Sequence, residues 1–380
     1  MAGIYIHIPF CQKACIYCNF HFSTSLSSKH EMVKAIANEA LLRKDFIKEK
    51  VSTIYLGGGT PSLLNSIDLH EILKTIHSCY SVSTDAEISL EANPDDISPG
   101  RLAEWRNAGI NRLSVGIQSF HDPELKWMNR GHDAKRSLQC LKEIKEAGFD
   151  NFSADLIFGS MMSDSSTLLH NLEILLELEL PHISAYGLTV EPRTRLQKMV
   201  ASGKALAPEE ETQAKGFLLL SEKLEAAGYE HYEISNYAKP GYRSKHNSAY
   251  WNGAAYLGLG PSAHSFDGQR TRSWNIADNK QYMGAIAIKK LPSQSEILSE
   301  QEIFNEHMML GLRKMEGINL LELANLFGEE VRKEFEMRTA VYISTGLIER
   351  KADNLILTRQ GKLQADGIAA ALFNITIKQE

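Results

Sequence analysis

The stretch that decides how this chain is read is Gly3-Ile-Tyr-Ile-His-Ile8-Pro-Phe-Cys11-Gln-Lys-Ala-Cys15-Ile-Tyr-Cys18. Residues 3–8 alternate isoleucine with Tyr5 and His7, the two-residue period of a β-strand. Three cysteines follow within eight residues. In a parallel α/β architecture, the loop after a strand's C-terminal end is where chemistry sits. Three thiols this close, with no fourth cysteine nearby, suit a 4Fe–4S cube held by Cys11, Cys15 and Cys18 with one iron left open. A zinc knuckle is the alternative; it needs a fourth donor, which His21 offers.

Working outward, further strand-like runs fall at 53–56, 87–91, 112–117, 151–157 and 182–187. Amphipathic helical patterns near 29–47, 68–80, 98–108, 134–147 and 165–178 separate them. Ala108-Gly109 and Ala147-Gly148 place glycine where a helix stops. This alternation implies right-handed βαβ units and a parallel sheet. Six units are two short of a closed eight-fold barrel. The expected fold is α/β, a partial (β/α)6 barrel, with a doubly wound open sheet as the alternative.

The second half reads differently. A helix over 208–227 leads to a strand near 229–235, then to an aromatic and glycine-rich segment, of which 246–266 reads as loop. Paired helices at 318–327 and 331–345 and a two-strand wing around Asp353-Asn354 form a winged-helix pattern. The expected division is therefore 1–235 for the barrel, 236–295 for an aromatic connecting region and 296–380 for the winged module. Residues 301–380 hold 10 Lys and Arg against 12 Asp and Glu, net −2. Phosphate neutralisation dominates DNA affinity, so this module is expected to cover or dock and not to bind nucleic acid.

Across all 380 residues, 43% hydrophobic and 23% charged content fits a chain with a sizeable core, and excludes disorder. The net charge of −6 argues against a protein that coats nucleic acid. Five cysteines are too few and too uneven for a secreted disulfide framework. The N-terminus has no cationic region and no long apolar run, and no window is long and apolar enough to span a bilayer. A reduced, cytoplasmic location is expected.

Cys-x3-Cys-x2-Cys after the first strand resembles the signature of the radical S-adenosylmethionine (SAM) superfamily. Gly57-Gly-Gly-Thr-Pro61 after the second strand is similar to the loop that lies against the methionine end of SAM. Further segments are Leu90-Glu-Ala-Asn-Pro94, Ser114-x-Gly116-x-Gln118-Ser-Phe120, Asn129-Arg130 and Asp155-Leu-Ile-x-Gly159. Together these resemble the branch that contains the anaerobic coproporphyrinogen III oxidases and the HemW-type haem chaperones. The resemblance implies that Tyr5, Gly58 and Glu91 contact cluster-bound SAM. It implies further that Tyr17, Gly59, Thr60, Gln118, Arg130 and Asp155 line the SAM pocket or hold a second SAM. On chemical grounds Arg130 suits a carboxylate, and Glu91 and Asp155 suit ribose hydroxyls or an ammonium group. Taken singly, Arg130 is also placed to pair with Glu124, and Asp155 to cap a helix.

Two features resemble the chaperone side of that branch. Phe20 stands where the oxidases carry a further cysteine, and only ten residues precede Cys11. His246-Asn247-Ser248-Ala249-Tyr250-Trp251 fits the HNxxYW motif of the chaperones. Imidazole ligates haem iron and aromatic rings pack on porphyrin, which makes His246, Asn247, Tyr250 and Trp251 haem candidates. The alternative is that Tyr250 and Trp251 pack between domains while His246 is merely hydrogen-bonded. His7, His264 or a cysteine compete as iron ligand. The resemblance thus implies a chaperone that binds the cluster and SAM and carries haem as cargo to membrane-associated acceptor proteins, touching the membrane only peripherally. An electron donor is needed if SAM is cleaved. The oxidase is the competing expectation: a SAM-derived radical that converts propionates to vinyl groups.

Overall fold

The computed structural model describes residues 2–373 and 375. Six strands, β1 (Ala2–Ile8), β2 (Val51–Gly58), β3 (Val82–Ala92), β4 (Arg112–Gln118), β5 (Phe152–Phe158) and β6 (His182–Gly187), lie side by side in chain order. Each is parallel to the next. Helices α1 (Lys29–Leu42), α2 (Ser66–Cys79), α3 (Pro99–Asn107), α4 (Asp122–Trp127), α5 (Ala134–Glu146) and α6 (Ser165–Glu177) connect them. The partial (β/α)6 barrel is the observed fold.

The alternation along each strand separates two environments. Ile4, Ile6 and Ile8 of β1, Ile54 and Leu56 of β2, and Leu113 and Val115 of β4 are buried in the main hydrophobic core with the helices. The intervening positions carry Tyr5, His7, Tyr55, Glu87, Glu91, Arg112, Ser114, Ser153, Asp155, His182 and Ser184. The barrel interior is therefore polar and aromatic, whereas a structural barrel fills this space with branched aliphatic side chains.

After α7 (Arg195–Ala201) and α8 (Glu210–Ala226), strands β7 (Glu230–Glu233) and β8 (Asn236–Ala238) form a hairpin, with β8 antiparallel to β6. The next segment corrects the sequence expectation. Residues 246–266 are not loop: they hold α9 (Lys245–Trp251), β9 (Tyr256–Leu259) and β10 (His264–Phe266). With β11 (Thr271–Asn275), α10 (Asn279–Ala287) and β12 (Ser293–Ile297), they extend the sheet to twelve strands in the order β12-β11-β10-β9-β1-β2-β3-β4-β5-β6-β8-β7. Strand β9 pairs parallel with β1. The 236–295 region is thus a flank of the barrel sheet and not a free connection.

Its signals were hidden because they are tertiary. The N-terminus of α9 is held by the Ser244 side chain and by Glu87 of β3, which accepts from the Lys245 and His246 amides at 3.1 and 3.0 Å. Strand β9 shows no clean alternation because Leu257 and Leu259 face the core while Gly258 faces the backbone of His264.

The C-terminal unit comprises α11 (Glu300–Arg313), β13 (Ile318–Asn319), α12 (Leu320–Phe327), α13 (Glu329–Ser344), β14 (Ile348–Lys351), β15 (Asn354–Leu357), α14 (Arg359–Lys362) and α15 (Ala365–Leu372). Its small antiparallel sheet runs β13-β15-β14, with the wing turn where the sequence places it. Phe304, Met308, Leu312, Leu323 and Phe335 belong to a hydrophobic core of its own.

Candidate functional site

The cysteine loop leaves β1 and is fastened at both ends. The Cys11 amide donates to the Ser23 carbonyl and the Ser23 amide to that of Pro9, at 3.0 and 2.9 Å. Its middle is anchored by Ile16, which is buried with Met128, Ile157, Leu188 and Leu196 in a small satellite core. Asn129, with a left-handed φ of 62°, donates to the Ala14 carbonyl at 2.7 Å. The loop after β2 locks onto it from the side: the Gly59 amide donates to Ile8 and the Thr60 amide to Phe10, at 2.9 and 2.7 Å. A Cβ on Gly59 would lie 2.6 Å from the Phe10 carbonyl oxygen, so glycine is required by this loop-to-loop contact.

Cys11, Cys15 and Cys18 are free and half-buried, and all three open onto a cavity of about 430 Å³ at the barrel mouth. Thr60 Oγ1 donates to Cys11 Sγ at 3.4 Å, and Arg130 Nη1 to Cys15 Sγ at 3.3 Å. Donors of this kind stabilise thiolate sulfur. Burial pushes the Cys18 thiol up to about 11 and also raises that of Cys11. Iron that takes these sulfurs therefore displaces protons. Among the described residues, no three His, Cys, Asp or Glu side chains converge on a single ion. A cube would give a separate iron to each thiolate, and three half-buried cysteines opening onto one cavity supply that donor set.

Every SAM candidate named from the sequence except Tyr5 lines this cavity. Glu91 accepts from Tyr55 Oη at 2.8 Å and from the Gly58 amide at 3.1 Å. Burial raises it to about 7, against the Tyr55 hydrogen bond and with the help of the Asp155 charge. Asp155 accepts from Ser114 and Ser153, each at 3.2 Å, and burial lifts it to about 6. It caps no helix. Arg130 does not pair with Glu124, which accepts instead from Ser160 at 2.5 Å. The guanidinium holds the Gly116 carbonyl and Asn93 Oδ1, both at 2.7 Å, with Cys15. Gln118 sits at the end of β4 with φ 67°, a strained position for a residue with a side chain. Tyr5 stands one level down β1, hydrogen-bonded to His7 Nδ1 at 3.1 Å and stacked on Tyr55.

Two groups were missed by the sequence reading. Asn93 bridges Arg130 and Thr60 Oγ1, the latter at 3.2 Å. Ser114, Ser153 and Ser184 stand around Asp155 from three adjacent strands. A serine on the interior face of three consecutive strands, Ser114 opposite Ser153 and Ser184 opposite Asp155, was the available signal.

The HNxxYW residues are not brought to this mouth. His246 lies at the opposite end of the barrel, beside Gly3 and Thr53, and is 2% exposed. Its Nδ1 bonds Thr53 Oγ1 at 2.8 Å, its Nε2 bonds Tyr250 Oη at 3.0 Å, and its ring stacks on Tyr55. Burial lowers its pKa to about 3, so the ring is neutral. Asn247 lies in the first turn of α9, its amide donating to Ser244 Oγ at 3.3 Å. Trp251 packs beneath Arg313 of α11, 5.2 Å from its ring centre, between the barrel and the C-terminal unit. Both imidazole nitrogens are occupied, and this histidine plugs the barrel floor.

The radical SAM superfamily pattern matches residues 5–165, and that of the HemN C-terminal domain matches residues 298–363. A Bacillus subtilis protein named heme chaperone HemW is 35% identical, the match covering 98% of this chain and 99% of that one. The Escherichia coli protein of the same name is 31% identical over 95% of each. The structure of Escherichia coli coproporphyrinogen III oxidase (HemN), described as a radical SAM enzyme, superposes with a TM-score of 0.84 at 22% identity. It covers 99% of this chain and 90% of that one, and the likeness is one of fold. The cysteine loop, the glycine loop and the two half-buried carboxylates at one barrel mouth agree with these matches: the chain belongs to the radical SAM superfamily, in the family of the proteins named heme chaperone HemW.

Proposed function

We propose that this chain is a haem chaperone that holds a 4Fe–4S cluster on Cys11, Cys15 and Cys18, binds SAM beside it, and passes haem to acceptor haem proteins. The observation that carries the first half of the reading is the mouth itself. Three half-buried cysteines share one cavity with two carboxylates whose protons burial has made hard to lose. Such groups beside a void mark a binding site. A bound cluster supplies an iron with an open position and a single electron. The protein's part is to orient: Glu91 and Asp155 offer anionic acceptors, Arg130 a planar cation, and Tyr17 a ring against the cavity wall. An electron donor enters only if SAM is cleaved.

The haem half of the reading is supported by the relatives' names and by Phe20. This residue is 65% exposed at the cavity rim, in the place of the oxidases' further cysteine. No helix of the described residues is long and apolar enough to cross a membrane, so contact with membrane-bound acceptors would be peripheral. The reading places the protein in the cytoplasm. The test is anaerobic: reconstituted protein is given coproporphyrinogen III, SAM and reductant, and in parallel is titrated with haem. Stoichiometric haem binding without protoporphyrinogen formation is expected. Robust turnover of coproporphyrinogen III would replace the chaperone with the oxidase.

A further inference from the structure

A guanidinium has N–H donors and no acceptor, so every polar group that bonds to Arg130 must accept from it. Its Nη1 donates to Cys15 Sγ at 3.3 Å, and its Nη2 to the Gly116 carbonyl and to Asn93 Oδ1, both at 2.7 Å. That fixes which way the Asn93 amide is turned. With Oδ1 on Arg130, Nδ2 points to Thr60 and donates to its Oγ1 at 3.2 Å. The threonine oxygen is an acceptor on that side, and its own proton goes to Cys11 Sγ at 3.4 Å. One continuous strap therefore joins two of the three sulfurs: Arg130 donates to Cys15 at one end, and through Asn93 and Thr60 the other end reaches Cys11.

The middle of the strap is held from both sides by backbone. Asn93 precedes Pro94, which restricts it to extended conformations, and its φ and ψ are −86° and 147°. Its amide donates to Ser62 Oγ at 3.3 Å, and its carbonyl accepts from the Asp96 amide at 3.0 Å. Arg130 is anchored too, its amide donating to the Leu125 carbonyl at 2.9 Å. Thiolate sulfur is rich in negative charge, and a donor aimed at it stabilises that charge. When a 4Fe–4S cluster gains an electron, more negative charge falls on its sulfurs, so a donor or a cation there favours the reduced form. Hydrogen bonds to sulfur and net charge are among the quantities that set a cluster's potential. Donors linked in series also polarise one another: a Thr60 oxygen that accepts from Asn93 is a stronger donor to Cys11.

We propose that Asn93 raises the reduction potential of the cluster without touching it: by tying Arg130 to Thr60, it keeps one donor on Cys15 and another on Cys11 for the single electron that the cluster takes up. Asn93 is a positioning residue, acting on the two sulfurs through its two partners. This inference rests on the cluster half of the proposed function. It goes beyond the SAM contacts, since it concerns the sulfurs and holds with no SAM bound.

The experiment uses the full chain, reconstituted anaerobically and free of SAM. Iron per chain is counted, and the cluster is titrated with dithionite while electron paramagnetic resonance reads its one-electron-reduced form. Wild type is compared with Asn93→Leu, Asn93→Ala, Thr60→Val, Thr60→Ser and the double variant Thr60→Val/Asn93→Leu. Asn93→Leu keeps the branched shape and breaks the strap at its middle; Thr60→Val keeps the shape and removes the last donor. Each should make reduction about tenfold less favourable, a fall of about 59 mV for one electron. Thr60→Ser keeps the hydroxyl and should stay at the wild-type potential. In the double variant the two falls should stop well short of their sum, because both changes break one network. Asn93→Leu or Asn93→Ala with full iron and the wild-type potential overturns the assignment, and so does full additivity. If neither Asn93 variant loads iron although its circular dichroism matches wild type, Asn93 holds the loop and not the potential, and the assignment is again overturned. If wild type itself takes up no four-iron cluster, it is the cluster reading that falls.

Discussion

The mouth and the floor of the barrel are built by the same six strands, and they differ in what lies beside their polar groups. At the floor, His182, His246 and Glu87 spend their polar atoms on protein neighbours: Ser153 and Tyr232, Thr53 and Tyr250, and the first amides of α9. At the mouth, Glu91 and Asp155 also accept from protein neighbours, but they are half-buried on the wall of a cavity, and desolvation pushes them up to about 7 and about 6. Three cysteines there hold no disulfide. A polar group enclosed by protein on every side is architecture; one held at a cost beside a void is poised for a ligand. Residue type alone does not tell the two apart, since histidines stand at both ends.

The largest expected effect is at the mouth. Cys15→Ala removes one of three sulfurs, and iron content after anaerobic reconstitution should drop from about four per chain to near zero. Retention of iron would erase the difference between the two ends. The midpoint of thermal unfolding of the iron-free protein should hardly move, because Cys15 is half-buried and the loop is anchored by Ile16.

His246→Ala at the floor should do the reverse. It leaves a cavity and strips Thr53 and Tyr250 of their partner, a loss of about 2–4 kcal/mol in unfolding free energy. Iron and haem bound per folded molecule should be unchanged. The same ring gives the floor a pH signature. A base whose pKa falls from 6.5 to about 3 on folding stabilises the protein fully above pH 6.5, and that stability is lost as pH falls toward 3. His246→Gln should therefore flatten the acid limb of a stability profile. A variant that kept wild-type stability but lost haem would return this histidine to the binding site.

How much of this contrast was legible in the sequence follows from what each end needs. The mouth was readable because its chemistry is local. Cys11, Cys15 and Cys18 lie on one loop, the glycines on another, and Glu91 and Asp155 at interior positions of β3 and β5, with only β4 between them. The floor was not, because His246 acquires its role from Thr53 and Glu87, 193 and 159 residues away. The flank was hidden for the same reason: β9 earns its strand identity by pairing with β1, and Gly258 looks like a loop residue until His264 is laid across it.

An intermediate effect is expected from pH at the mouth. An acid whose folded pKa is raised works opposite to a buried histidine: charging Glu91 destabilises the ligand-free fold as pH rises from its ordinary value, and the penalty levels off above about 7. A cation bound beside the carboxylate pulls that pKa back down. Affinity for SAM should therefore climb between about pH 5 and pH 7, by up to about tenfold per unit for each proton released. Calorimetry in buffers of different ionisation enthalpy counts that proton. Glu91→Gln should remove the slope, weaken SAM about tenfold, and leave the ligand-free protein at least as stable at pH 8. A slope that survives in Glu91→Gln would shift the titrating group to Asp155.

The smallest effect is expected where the floor meets the C-terminal unit. Arg313 covers Trp251 at 5.2 Å and reaches Asp366, which is exposed, at 3.4 Å. A half-exposed cation–ring contact is worth about 0.5–1 kcal/mol, and an ion pair to an exposed carboxylate less. The two units are also joined by contacts that do not involve this residue. The Met315 amide donates to Tyr232, Arg243 spans Glu230 and Glu316 at 2.9 and 2.8 Å, and Arg359 pairs with Glu225. Arg313→Ala should therefore cost no more than about 1 kcal/mol and leave haem affinity unchanged. That null effect on haem is the informative part. If Trp251 were a porphyrin platform, uncovering its indole would open the ring to the ligand and strengthen binding. If it is the mortar between two domains, only the midpoint of unfolding moves, and the last of the motif's aromatic residues joins His246 as architecture.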